Sequence, residues 1–145
     1  MISFNELNEQ NHKIAELSKV ILYMIQDRSI CDTDIACDMF FNYVTEVKDH
    51  LDREERELYK NLLTHSDIEV KNTATKYLSG SADLKRVFKG YLKKWSRNKE
   101  LRIKDHDQFV KDTRDMFEMV QDRAIDETEN FYPLVRSVTG SQVAA

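Results

Sequence analysis

An all-α fold, an antiparallel up-down-up-down four-helix bundle, is what this sequence predicts, and three observations predict it. Only three glycines and one proline occur in 145 residues, so long stretches lack the residues that interrupt helices. Apolar side chains recur at three- and four-residue intervals in four long segments, the last three of them preceded by Ser, Thr or Asp suited to cap a helix. The chain is long enough for one domain with a real core and too short for two. Residues 1–145 are therefore expected to form one domain with its core over about 4–138, no strand pair, and a flexible tail of small residues, G-S-Q-V-A-A.

The first helix is expected from about Phe4 to Arg28, with Leu7, Ile14, Leu17, Ile21, Met24 and Ile25 as its apolar stripe. The second follows Asp32 or Thr33 and runs to about Leu63. Ser66 or Asp67 caps the third, which extends to about Asn98 through Val70, Thr73, Tyr77, Leu84, Phe88, Tyr91 and Trp95. Ser79-Gly80-Ser81 predicts a kink, a break or a close approach in it, because glycine costs about 1 kcal/mol relative to alanine inside a helix. The fourth starts near Asp105 or Asp107 and carries Thr113, Phe117, Val120, Ala124, Glu127, Phe131 and Leu134 on one face. Pro133 should bend or loosen its last turns.

Composition narrows the function. Net charge is −4 with no dominant basic run, which argues against nucleic acid as a partner. The apolar run Val20–Ile25 is too short to span a bilayer, and no positively charged segment precedes it, so neither a membrane partner nor a signal peptide is expected. Cys31 and Cys37 lack metal-ligand spacing and read as free thiols of a cytoplasmic protein. No nucleophile with a companion base stands out, so nothing points to a hydrolase. A protein partner or a homodimer remains open.

The second helix carries the informative stretch. Phe40, Tyr43, Val47, His50, Glu54, Leu58 and Asn61 share one stripe, so an imidazole and a carboxylate occupy positions where Leu or Ile would be ordinary. Glu127 is a second carboxylate on a core stripe. Burying an unpartnered carboxylate costs several kcal/mol, so something must compensate both. The segments around Glu54 and Glu127 echo each other as E-x-x-x-[LF]-Y. Measured from the helix connections, His12, His50, Glu54, Glu127 and the Ser79–Ala82 region fall at one level of the bundle. His106 lies about 31 Å along a straight helix from Glu127 and reads as an exposed first-turn residue.

These residues resemble the hemerythrin-like, or HHE cation-binding, domains. The resemblance is carried by Asn11-His12-Lys13, by the H-x-x-x-E of His50 and Glu54, and by the E-x-x-x-F-Y-P of Glu127–Pro133. It implies a four-helix bundle holding non-heme iron through His and carboxylate ligands, with oxygen, redox or iron sensing, or oxygen binding, as its use. Carried over by position, it implies His50, Glu54, Glu127 and His12 as metal ligands. The chain departs from the family where Arg123 stands at the second-half histidine and Lys85 near the counterpart of His12. With four histidines in all, the resemblance supports a mononuclear or incomplete di-iron site. The other reading is a metal-free interaction or regulatory module, in which Arg123 supplies the positive charge and an Arg–Glu–His cluster replaces the metal. An inward Arg123 favours the second reading, and an Arg123 reaching solvent favours the first.

Overall fold

The computed structural model describes residues 3–139, so the tail expected after Thr139 lies outside the described residues. The fold is all-α. Helix α1 spans Phe4–Ile25 and α2 spans Arg28–Cys31; α3 spans Asp34–Glu54 and continues through a π-helical turn, Glu55–Tyr59, into α4, Lys60–Leu62. Helix α5 spans Ile68–Trp95. After it, α6 spans His106–Asp126 and passes through a second π-helical turn, Glu127–Phe131, into α7, Tyr132–Thr139. Among the described residues, no helix is long and apolar enough to cross a membrane.

Short polar side chains start the long helices by satisfying amides that have no intrahelical acceptor. Ser3 caps α1, Thr33 caps α3, Asp67 caps α5 and Asp105 caps α6. His106 is not simply an exposed first-turn residue: its Nε2–H donates to the carbonyl of Ile25 at 2.6 Å, tying the start of α6 to the end of α1.

The expectation of no strand pair fails in one detail. Ser96–Arg97 (β1) and Glu100–Leu101 (β2) pair antiparallel, with Ser96 opposite Leu101 and Arg97 opposite Glu100. Asn98 and Lys99 turn the chain with φ of 53° and 61°, the left-handed pair that a tight two-residue hairpin needs. The sequence hides this turn because a lysine stands where glycine usually announces it. Helix α5 also runs unbroken through Ser79-Gly80-Ser81. The glycine permits a close approach instead: a methyl group there would lie 3.0 Å from a terminal guanidinium nitrogen of Arg123.

Both π turns shift the buried stripe by one residue. Asn61 and Leu134 were expected to continue their core faces, but Leu62 and Val135 are buried in their place. A π turn holds one more residue than an α turn, so every later side chain is rotated around the axis. Adjacent residues consequently both face inward, Leu58 with Tyr59 and Phe131 with Tyr132. Pro133 comes one residue after the second π turn, where the amide of Tyr132 already reaches back to the carbonyl of Glu127. The irregularity expected of Pro133 thus lies just ahead of it.

Helix α1 packs on α3 and α6, while α5 packs on α6 and on the Glu55–Tyr59 turn. The core forms two apolar clusters. One is built around Phe40, Tyr43, Phe88, Phe109 and Phe117, the other around Phe4, Leu7, Tyr77, Phe131 and Val135.

The two glycines of α5 make a test of the close approach. Gly90 has open space beside it, so Gly90→Ala should stabilise the protein by about 0.5–1 kcal/mol in urea unfolding. Gly80→Ala should lose that gain, because the added methyl displaces Arg123.

Candidate metal centre

The sites of chemical interest lie between the two apolar clusters. His50, Glu54, Ser81 and Glu127 are buried there, with Arg123 nearly so. One ligand atom each from His50, Glu54 and Glu127 lie within 4.8 Å of one another. Helix α3 delivers His50 and Glu54 from one face, four residues apart, and the end of α6 delivers Glu127 against them. Among the described residues this is the group of His, Cys, Asp or Glu side chains close enough to share a cation.

His50 is held in one tautomer. Its Nδ1–H donates to Oε1 of Gln10 on α1 at 2.7 Å, which leaves Nε2 as the bare nitrogen. Burial drives the pKa of His50 down to about 4, so the ring is neutral near pH 7. Nε2 faces Oε1 of Glu54 at 3.1 Å, yet neither atom has a hydrogen bond. Two lone-pair-bearing atoms at that separation in a buried layer repel unless a proton or a cation lies between them. Ligating histidines are commonly arranged this way, with the far nitrogen bound to an acceptor and the near one free.

The two glutamates are each served by a tyrosine from the other half of the chain. Tyr59, beside Glu54, donates its hydroxyl to Glu127; Tyr132, beside Glu127, donates to Glu54 at 2.8 Å. The π turns make this exchange feasible, because they rotate Tyr59 and Tyr132 into the core. Burial raises both phenol pKa values, so both remain donors. Burial, reinforced by the charge of Glu54, also pushes the carboxyl of Glu127 well above its ordinary range.

Arg123 turns inward. Its Nε lies 3.2 Å from Glu127 Oε1, and its terminal nitrogen donates to the Tyr59 hydroxyl at 2.8 Å and to the Tyr77 carbonyl at 3.0 Å. The guanidinium thus sits on the Glu127 side of the layer, in the room left by Gly80. Lys85, the other cation expected beside the carboxylates, does not join: it pairs with Asp52 and Glu55, each at 2.7 Å, on the partly exposed edge.

The structure brings together His50, Glu54 and Glu127 from the expected ligand set and leaves out His12. His12 is exposed in the groove between α1 and α6. One residue earlier, Asn11 has its Nδ2 buried and lines a small core cavity with His50 and Glu127. A helix presents only one of two adjacent residues to a narrow core. Read along the sequence, Tyr59 and Tyr132 look like packing residues; their hydrogen bonds to the carboxylates went unseen. The repeated E-x-x-x-[LF]-Y was the signal that could have found them. Gln10 left no such signal.

No protein-family model matches this chain, and neither a curated protein nor a solved structure matches it.

Two measurements test this arrangement. Arg123→Ala should destabilise the protein by about 3–5 kcal/mol, because it strips a buried carboxylate of its counter-charge, whereas Arg86→Ala, at an exposed pair with Asp83, should cost under about 1 kcal/mol. The pH profile supplies the second. The unfolded chain protonates His50 near 6.5, while the folded protein resists until about 4. In chelator-treated protein, stability should therefore fall by about 3 kcal/mol as pH drops through that window. His50→Gln should remove that part of the fall. Glu127 works in the opposite sense: its raised pKa contributes stability at low pH that is lost as pH climbs through its folded value.

Proposed function

We propose that the chain is a hemerythrin-like up-down-up-down four-helix bundle whose polar layer takes up one divalent cation at His50, Glu54 and Glu127. Its use is the binding or sensing of oxygen, redox state or iron inside the cell. The observation that carries this reading is the opposition of His50 Nε2 and Glu54 Oε1 at 3.1 Å, both buried and neither hydrogen-bonded. A cation between them would relieve that repulsion and engage atoms that otherwise have no partner.

The donor set fits one cation and does not fit two. One imidazole and two carboxylates suit iron, manganese or zinc. Arg123 stands on the Glu127 side, where a second ion would need a ligand. Arg123 lies 3.2 Å from Glu127, whereas Glu54 faces the neutral His50 ring at 3.1 Å and, among the described residues, has no arginine or lysine against it. Gln10 orients the imidazole, Tyr132 fixes one oxygen of Glu54, and Tyr59 fixes one oxygen of Glu127. The surrounding apolar clusters keep bulk water away. Iron, when bound, would supply a one-electron couple and coordination positions open to a small ligand.

A second reading is favoured by the inward Arg123. A fixed positive charge within a few ångströms opposes a divalent ion strongly in a low-dielectric core. In this reading a proton lies between His50 and Glu54, the layer is a metal-free charge network that fixes helix register, and the chain is an interaction or regulatory module.

Elemental analysis of protein purified without chelator separates the two. The core-cation reading expects close to one iron, manganese or zinc per chain, lost in His50→Ala and retained in His12→Ala. Metal-free protein that also fails to take up added Fe²⁺ or Co²⁺ leaves the charge network as the reading that stands.

A further inference from the structure

The polar layer lies close to solvent on one side. Between α1 and α6 runs an open groove of about 300 Å³, and Asn11 and Ala124 belong to its lining. The same two residues wall the small cavity of about 10 Å³ that faces His50, Arg123 and Glu127. That cavity offers about the room of one water molecule. The partition between groove and cavity includes one amide and one methyl side chain. Asn11 Nδ2 is buried there without a hydrogen bond, and alanine is the smallest side chain α6 could place opposite.

The other approach is different in kind. A groove between α3 and α5 also meets the small cavity, through Val47 and Leu51. Both are buried apolar side chains, and the rim outside them carries Lys85 bound to Asp52 and Glu55. A hydrated cation passing there would lose its water to an apolar wall and meet a lysine first. The α1–α6 groove presents polar groups instead. His12 and Glu129 are exposed in it, with Asn8 and Gln121 beside them. An imidazole and a carboxylate in one groove form a weak collecting point for a divalent ion.

We infer that the α1–α6 groove is the entry route for the cation, which is collected at His12 and Glu129 and passed between Asn11 and Ala124 into the polar layer. This rests on the core-cation reading and adds a role for the histidine that does not reach the core. Asn11 is a positioning residue at the inner end, where its amide oxygen can replace a water of the incoming ion.

Co²⁺ is the probe, followed by its visible absorption in stopped-flow mixing and by equilibrium titration. Ala124→Leu should slow uptake by about tenfold or more, equivalent to about 1.4 kcal/mol of added barrier, with equilibrium affinity preserved. Ala124→Ser should leave the rate unchanged. His12→Ala combined with Glu129→Gln should slow uptake at low salt and lose that effect at high salt, where the screening length is short. Circular dichroism checks that each variant is folded; if Ala124→Leu is not, Ala124→Val narrows the same passage and carries the same expectation. Unchanged uptake in a folded plug variant overturns the entry route and leaves the core site intact. Failure of the wild-type protein to take up Co²⁺ overturns the core-cation reading, and the entry route with it.

Discussion

The cost of burying two carboxylates governs the middle of this protein. Glu54 and Glu127 are fully enclosed, and every neighbouring feature serves to offset the resulting desolvation. Each carboxylate accepts a phenol hydroxyl from the opposite half of the chain. Arg123 neutralises one of them, and Gly80 gives its guanidinium the space to do so. The π turns belong to the same solution, since without the extra residue Tyr59 and Tyr132 would face elsewhere. A layer that needs two backbone irregularities, a glycine and an inward arginine is costly to assemble and specifies one register of the helices.

That layer is nearly symmetric in its parts and asymmetric in its chemistry. Both halves contribute a glutamate, a π turn and a crossing tyrosine. Four residues before the glutamate, one half offers a neutral imidazole with its lone pair inward, and the other offers a permanent cation. Arginine cannot release its charge in a protein, so the Glu127 side holds a fixed cation of the chain's own. The His50–Glu54 side does not. The difference between imidazole and guanidinium at matching positions concentrates the open chemistry of the molecule between two atoms, Nε2 and Oε1. It also explains why three donors and not a larger set converge.

The apolar clusters on either side differ in role. The larger, aromatic-rich cluster joins α1, α3, α5 and α6 towards the hairpin, where Trp95 and Phe109 pack edge to face. The smaller lies around the π turns and α7, where Tyr59, Tyr77 and Phe131 are in ring contact. Arg123 lies over the faces of Tyr59 and Tyr77, so the polar layer grades into this cluster without a sharp boundary.

Periodicity and capping residues were sufficient to read the four long helical segments and three members of the central cluster, but the first was drawn on to Arg28 where the structure ends it at Ile25 and starts a separate helix at Arg28–Cys31. Thr33, Asp67 and Asp105 announce helix starts because a short side-chain oxygen answers free amides wherever it occurs. His50, Glu54 and Glu127 announce themselves because a polar residue on an apolar stripe is visible without coordinates. Other features depended on distances along and between helices. Regular α spacing put Asn61 and Leu134 in the core; the π turns gave those places to Leu62 and Val135, since one extra residue in a turn rotates all that follows. For α1 the local register of Ile14 suited Asn11 better, while the family resemblance named His12; the rotation of α1 against α3 and α6 puts Asn11 inward and leaves His12 exposed. The direction of Arg123 was likewise undecided, its side chain being long enough to reach either solvent or core. Tertiary packing decided it, through a hydroxyl at Tyr59, a carbonyl at Tyr77 and the missing side chain at Gly80, three partners that the sequence holds far apart.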